Sequence, residues 1–221
     1  MNRVVAPVEV MTKQESVYKG LLEAVVSGRL PPGAQITLTQ LSEQFGVSLM
    51  PVREALRKLE AQNFITINKN RRVVIRELSG CDLNELLQIR LKLECMAATK
   101  AVENVDDKLV SELERIMKGV MAAKTAEEFL EGNKQFHHTL YKTANMPVLQ
   151  ETIENLWGRL SPYLHIYTTE VPDYKTLKIK YHIKMLEGIR ERNPRKVCKW
   201  LAIDLRKAAE LVNGLLKKKP D

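Results

Sequence analysis

The pattern of apolar and polar positions changes character once along the chain, near residue 77. Beyond that point apolar residues recur at helical spacing almost to the end. Leu83, Leu86, Leu87, Arg90, Leu91 and Glu94 trace one mainly apolar stripe, and no strand-like alternation follows Arg76. The breaks in this pattern predict about six helices, roughly 80–103, 106–122, 125–144, 147–168, 173–191 and 194–216. Pro147, Pro172 and Pro194 stand near three of the starts, where a missing N–H costs little. Pro162 falls inside the fourth helix and is expected to kink it.

Ahead of the boundary the pattern is shorter and more broken. A helix is expected from Glu15 to about Ser27, and Gly28-Arg29-Leu30-Pro31-Pro32-Gly33 is a turn that no helix can cross. Thr37 and Gln40 have the spacing of a capping box for a second helix, whose Leu41 and Phe45 face a core. Gly46 stands where that helix needs a left-handed residue, and Ser48 is the expected N-cap of a third helix running to about Gln62. In the third helix Val52, Ala55, Leu56 and Leu59 form the inward stripe, which leaves Arg53 and Arg57 on another face. Two β-branched runs, Phe64 to Ile67 and Val73 to Ile75, flank Asn68-Lys69-Asn70-Arg71-Arg72 and read as a hairpin with a basic tip. The fold class is therefore mainly α: a winged helix-turn-helix domain over residues 1–76, then an all-helical bundle over residues 77–221.

Charge sharpens this reading. Lys and Arg number 35 against 27 Asp and Glu, a net +8, and residues 1–76 hold 11 basic and 6 acidic side chains within it. The positive excess is thus concentrated in the first domain, as a polyanionic partner would require. An exposed helix face bearing arginines, followed at once by a basic wing, suits the major groove and backbone of double-stranded DNA. The competing reading is a small helical module with an incidental hairpin. No apolar run reaches the roughly 18 residues of a membrane span, and Val4 to Ala6 is too short for a signal peptide core, so a cytoplasmic protein is expected. Cys81, Cys95 and Cys198 form no CxxC pair and are expected to be reduced structural thiols.

The run from Gly28 to Gly33, then Leu41-Ser42-Glu43-Gln44-Phe45-Gly46-Val47-Ser48, then Pro51-Val52-Arg53-Glu54-Ala55-Leu56-Arg57-Lys58-Leu59-Glu60, resembles the winged helix of the GntR family of bacterial transcriptional regulators. The resemblance implies a dimeric repressor or activator on a palindromic operator, and it places the family's DNA-contacting arginine on Arg53. Where the family usually has Ser-Arg-Thr-Pro-Val-Arg, this chain has Ser48-Leu49-Met50-Pro51-Val52-Arg53, so Leu49 and Met50 are expected to meet thymine methyls rather than make polar base contacts. In the wing, the usual Asn-Arg-Gly is Asn70-Arg71-Arg72. The expected DNA-facing set is Ser48, Leu49, Met50, Arg53, Arg57, Lys69, Arg71 and Arg72.

The second domain is similar to the effector domain of the FadR-type, or FCD, branch of that family, through Leu78-Ser79-Gly80-Cys81-Asp82-Leu83, Ile89-Arg90, Leu93-Glu94 and Ala97-Ala98. In many members of that branch an Asp and three His hold a metal inside the bundle. The resemblance places those ligands on Asn133, His137, His182 and Asp204, so an Asn stands for the usual Asp and an Asp for the last His. The set keeps one carboxylate and two imidazoles, which suits a divalent ion such as Zn, Mn or Ni. The alternative is a metal-free pocket in which the same groups bond one another. His138 and His165 are read as spare.

A small-molecule effector, expected to be a carboxylate, is the remaining implied partner. Arg90 is a candidate to grip it, with an ion pair to Glu94 one turn on as the alternative role. Arg159 and Tyr163, near Trp157 and Tyr167 on the fourth helix, are further candidates, with core packing as their alternative. The leading function is a metabolite-responsive, homodimeric DNA-binding regulator. It competes with a non-specific architectural DNA binder and with a metal-dependent enzyme. The enzyme reading is opposed by the lack of any partnered general base, assisted nucleophile or Gly-rich phosphate loop.

Overall fold

The computed structural model describes residues 11–26, 29–31, 33–68 and 72–217. Lys69, Asn70 and Arg71, the expected wing tip, lie outside the described residues. The chain forms two compact units that divide between Glu77 and Leu78.

The first unit runs α1 (Lys13–Val26), β1 (Gln35–Thr37), α2 (Leu38–Phe45), α3 (Leu49–Ala61), β2 (Ile65–Ile67) and β3 (Arg72–Ile75). The capping box is present with both of its bonds: Thr37 Oγ1 accepts from the Gln40 amide, and Gln40 accepts from the Thr37 amide. Gly46 ends α2 at φ 61°, in the left-handed region that a side chain adopts only at a cost. Ser48 begins α3 from an extended backbone but makes no side-chain cap bond. The sheet order is β1-β3-β2, all antiparallel, with Ile67 opposite Val73 and Ile65 opposite Ile75. The hairpin thus has a third strand that the sequence pattern does not announce. Val17, Leu21, Ile36, Leu41, Val52, Leu56, Leu59, Phe64 and Val73 fill the core between helices and sheet.

The second unit holds six helices among the described residues: α4 (Gly80–Glu103), α5 (Asp107–Ala122), α6 (Ala126–Lys142), α7 (Pro147–Glu170), α8 (Tyr174–Arg190) and α9 (Pro194–Leu216). Their starts are set by local chemistry. Ser79, Asp106, Thr125 and Asn193 each accept a backbone N–H at the opening turn of α4, α5, α6 and α9, and Pro occupies the first turn of α7 and α9. Helix α7 continues through Pro162 to Glu170, two residues beyond the expected end. A core of Leu113, Phe129, Phe136, Leu140, Ile153, Met185 and Leu201 knits the unit together. Within it α9 packs on α4 and α8, while α6 packs on α4, α5 and α7. The inward stripes of α4, α6, α8 and α9 carry polar as well as apolar groups: Arg90, Glu94, Asn133, His137, Lys178, His182 and Asp204 are all buried. Charged residues are seldom buried unless paired, which makes this cluster the candidate functional interior.

Candidate functional site

Helical spacing assembles the cluster. Asn133, His137 and Tyr141 are successive turns of one face of α6, Lys178 and His182 are one turn apart on α8, and Asp204 lies on the buried face of α9. His137 Nε2 and His182 Nε2 are 3.0 Å apart. Asp204 Oδ2 lies 3.8 Å from the first and 4.0 Å from the second. The Phe136 ring stacks on His182 at 4.7 Å between centroids and fixes its plane.

Hydrogen bonding decides which nitrogen of His137 faces inward. The Tyr141 hydroxyl donates to Glu94 Oε2 at 2.6 Å, and a carboxylate can only accept. Its oxygen is then left to accept the Nδ1–H of His137, 3.1 Å away, so Nε2 presents a lone pair toward His182 and Asp204. Arg90 Nε donates to the other oxygen of Glu94 at 2.6 Å. This buried chain of hydrogen bonds orients the imidazole. Burial lowers the pKa of His137 well below the ordinary value, helped by the charges of His182, Lys178 and Arg90. His182 is pushed down to about 4 by burial, against the opposing pull of Asp204. Both rings are uncharged at neutral pH, the form in which imidazole binds metals.

The donor set fits a metal ion. A triangle with sides of 3.0, 3.8 and 4.0 Å has a centre about 2.1 Å from each corner, inside the roughly 2.0–2.2 Å range of zinc bonds to nitrogen and oxygen. Among the described residues Asn133 Oδ1 and Asp204 Oδ1 are buried without a hydrogen-bond partner, two further acceptors on residues of the expected ligand set. The Lys178 ammonium donates to Asp204 Oδ2 at 2.8 Å.

Beside these residues is a cavity with about 470 Å³ of space between its atoms, part of it open to solvent. Its polar wall is Arg90, Asn133, His137, Tyr163, Tyr167 and Lys178, faced by leucines of α4 and α7 and by Trp157. Arg90 makes the ion pair with Glu94 considered as its alternative role, and it also lines the cavity with its guanidinium over Trp157. Tyr163 lines the cavity and donates to the Ser79 carbonyl at 3.2 Å. Arg159 does not reach it. The inward positions of α7 are Trp157, Leu160, Tyr163 and Tyr167, and two residues past Trp157 the helix has turned about 200°, which leaves Arg159 exposed. Tyr141 and Lys178 escaped the sequence reading, although each lies four residues from a histidine of the set.

In the first unit, Ser48, Leu49, Met50, Arg53 and Arg57 are exposed along the start and outer face of α3, the second helix of the helix-turn-helix. Leu49 and Met50 are 42% and 66% exposed, far more than apolar groups with a core to fill. Arg57 pairs with Glu54 at 2.9 Å. Arg72, exposed at the base of the hairpin, donates to Gln35 Oε1 at 3.2 Å.

Residues 13–75 match the family described as bacterial regulatory proteins, gntR family, and residues 85–206 match the FCD domain. The HTH-type transcriptional regulator McbR of Escherichia coli K12 is 36% identical over 141 residues, which are 62% of this chain and 64% of McbR, just under two thirds of either. The HTH-type transcriptional repressor RspR of the same organism is 24% identical over 210 residues, 94% of this chain and 92% of RspR. The solved structure of E. coli McbR/YncC superposes with a TM-score of 0.65 at 28% identity and covers 93% of this chain and 99% of that one. These families and relatives are transcriptional regulators, not enzymes. No helix among the described residues is long and apolar enough to cross a membrane. The chain belongs to the GntR family of transcriptional regulators, in the FadR-type branch whose DNA-binding domain is joined to an effector-binding FCD domain.

Proposed function

We propose that this regulator binds a palindromic operator as a homodimer and answers to a small carboxylate that reaches a divalent metal in its helical domain. The observation that carries the sensing half is the donor triangle of His137, His182 and Asp204 beside a cavity with two cationic wall residues. His137 and His182 would hold the ion through Nε2 and Asp204 through Oδ2, with Asn133 as a fourth, weaker oxygen donor. The bound ion supplies an electron-poor centre on which a carboxylate oxygen can settle. Arg90 and Tyr163 offer the polar wall, and the leucines and Trp157 select against large hydrophilic molecules. Tyr141, Glu94 and Arg90 keep the His137 lone pair aimed at the centre.

On the DNA side, Ser48, Leu49, Met50, Arg53 and Arg57 supply one exposed face for a major groove, with Lys69, Arg71 and Arg72 proposed for the backbone beside it. Two copies on a two-fold axis would read two half-sites. An effector that favours one spacing of the recognition helices shifts operator affinity only as far as it prefers that arrangement.

Two measurements test this reading. At saturating zinc the protein binds one equivalent per chain, and His182→Ala binds none; no bound metal in the parent protein would remove the metal from the proposal. Selection from random DNA at about 0.15 M salt yields a palindrome bound far above bulk DNA. The exposure of Leu49 and Met50 favours a second reading, a non-specific architectural DNA binder, and enrichment of no sequence would establish it instead.

A further inference from the structure

Lys178 is a buried cation that the metal centre does not use. It stands on α8 with its side chain 5% exposed, and its ammonium lies 2.8 Å from Asp204 Oδ2. That oxygen is the one that faces both imidazoles, at 3.8 and 4.0 Å. The Tyr167 ring lies 5.7 Å from the ammonium on the cavity side. The interior therefore contains two ion pairs, Arg90 with Glu94 and Lys178 with Asp204, and its formal charge is balanced before any ion arrives. A site of two neutral imidazoles and one carboxylate ordinarily attracts a divalent ion through its single negative charge. Here that charge is already matched, and one lone pair of the key oxygen is already engaged. An ion bound through Oδ2 would lie within about 5 Å of the ammonium, where like charges in a poorly screened interior repel strongly.

We propose that Lys178 is a built-in competitor for Asp204 that keeps the affinity for divalent ions low, so that occupancy follows the supply of free ion. This inference rests on the metal-centre reading above and adds to it how the centre is regulated. The site then behaves as a reversible metal receptor rather than as a permanent structural one.

The test is zinc affinity of the full-length protein, measured by competition with a chromophoric chelator. Lys178→Gln keeps a hydrogen-bond donor beside Asp204 and removes the charge, and it should bind zinc at least about tenfold more tightly than the parent. Lys178→Arg keeps the charge and should bind no more tightly than the parent. Zinc should also raise the melting temperature of Lys178→Gln more than that of the parent, because the variant leaves the Asp204 carboxylate without a counter-charge until the ion arrives. A folded Lys178→Gln that binds zinc no better than the parent overturns the inference and leaves the metal centre standing. Should that variant fail to fold, the parent alone decides: zinc held at nanomolar affinity overturns the inference, and an affinity near or weaker than about micromolar supports it. The absence of zinc binding by both proteins at saturation is a distinct result, the failure of the metal centre itself.

Discussion

Tyr141 is the residue on which the orientation of His137 turns, because its hydroxyl can give its proton only to Glu94 and must then accept from the ring. Tyr141→Phe should lower zinc affinity about 10- to 100-fold, since the imidazole loses the partner that fixes its tautomer. It should also destabilise the protein by about 1–3 kcal/mol, because Glu94 keeps its burial and loses a hydrogen-bond donor. Chelator competition reads the first effect and thermal melting the second; unchanged zinc affinity would mean that the ring is held by packing against Phe136 and Trp157 alone. At this scale the sequence is half legible. His137, His182 and Asp204, which the family resemblance put in one set, do converge from α6, α8 and α9, while Arg90 meets Glu94 and Asn133 shares a helix face with His137 because i and i+4 spacing survives folding unchanged. Lys178 was missed because an amphipathic lysine reads as solvent-facing until the neighbouring helix is seen to bring a carboxylate to it. Arg159 was misjudged for the reverse reason: nearness in sequence to an inward tryptophan is not nearness on a helix surface.

Among the elements, boundaries follow from caps and prolines, and these are local signals. The six helices of the second unit begin and end within two residues of expectation, and five of the starts follow from Ser79, Asp106, Thr125 and Asn193 as caps and from Pro147 and Pro194 in the first turns. Strand β1 was not foreseen, since three residues reading Gln-Ile-Thr become a strand only through pairing with β3, residues distant along the chain. How closely helices approach is equally non-local. Gly188 of α8 faces α9 at a point where an added Cβ would meet Val197 Cγ2 at 2.9 Å and the Val197 amide nitrogen at 3.1 Å. The second of those atoms is backbone and cannot rotate away. Gly188→Ala should therefore cost about 1–3 kcal/mol. Because α8 and α9 carry His182 and Asp204, it should also weaken zinc binding, and a melting curve matching the parent would show that the two helices can part without strain.

For the whole molecule, the uneven charge assigns the two halves different partners. Residues 1–76 carry a +5 balance, and on α3, the face proposed to read DNA, Arg53 is exposed and Arg57 is tied to Glu54. Arg53→Ala should weaken binding to the selected operator by about 1–3 kcal/mol, roughly 5- to 150-fold. If it contacts a base, the loss will be much smaller on random DNA; an equal loss on both, with a salt slope reduced by about one, would make it a phosphate contact instead.

Linkage between the halves gives a reciprocal expectation. If the ion prefers one arrangement of the dimer, operator affinity must differ between zinc-loaded and zinc-free protein, and zinc affinity must differ by the same factor between free and operator-bound protein. Typical couplings of about 1–3 kcal/mol predict a change of roughly 5- to 150-fold in each. The two can be measured independently, the first by fluorescence anisotropy of labelled operator with and without a chelator, the second by chelator competition with and without operator. Lys178→Gln sharpens the comparison, because tighter zinc binding should move the midpoint of the zinc-dependent change in operator binding to lower free zinc while leaving its amplitude unaltered. Zinc that binds at one equivalent yet changes operator affinity by less than about twofold would make the ion a structural part of the effector pocket. The carboxylate would then be the ligand that distinguishes the two arrangements, and the anisotropy of labelled operator with zinc-loaded protein, measured with and without acetate, would read its coupling.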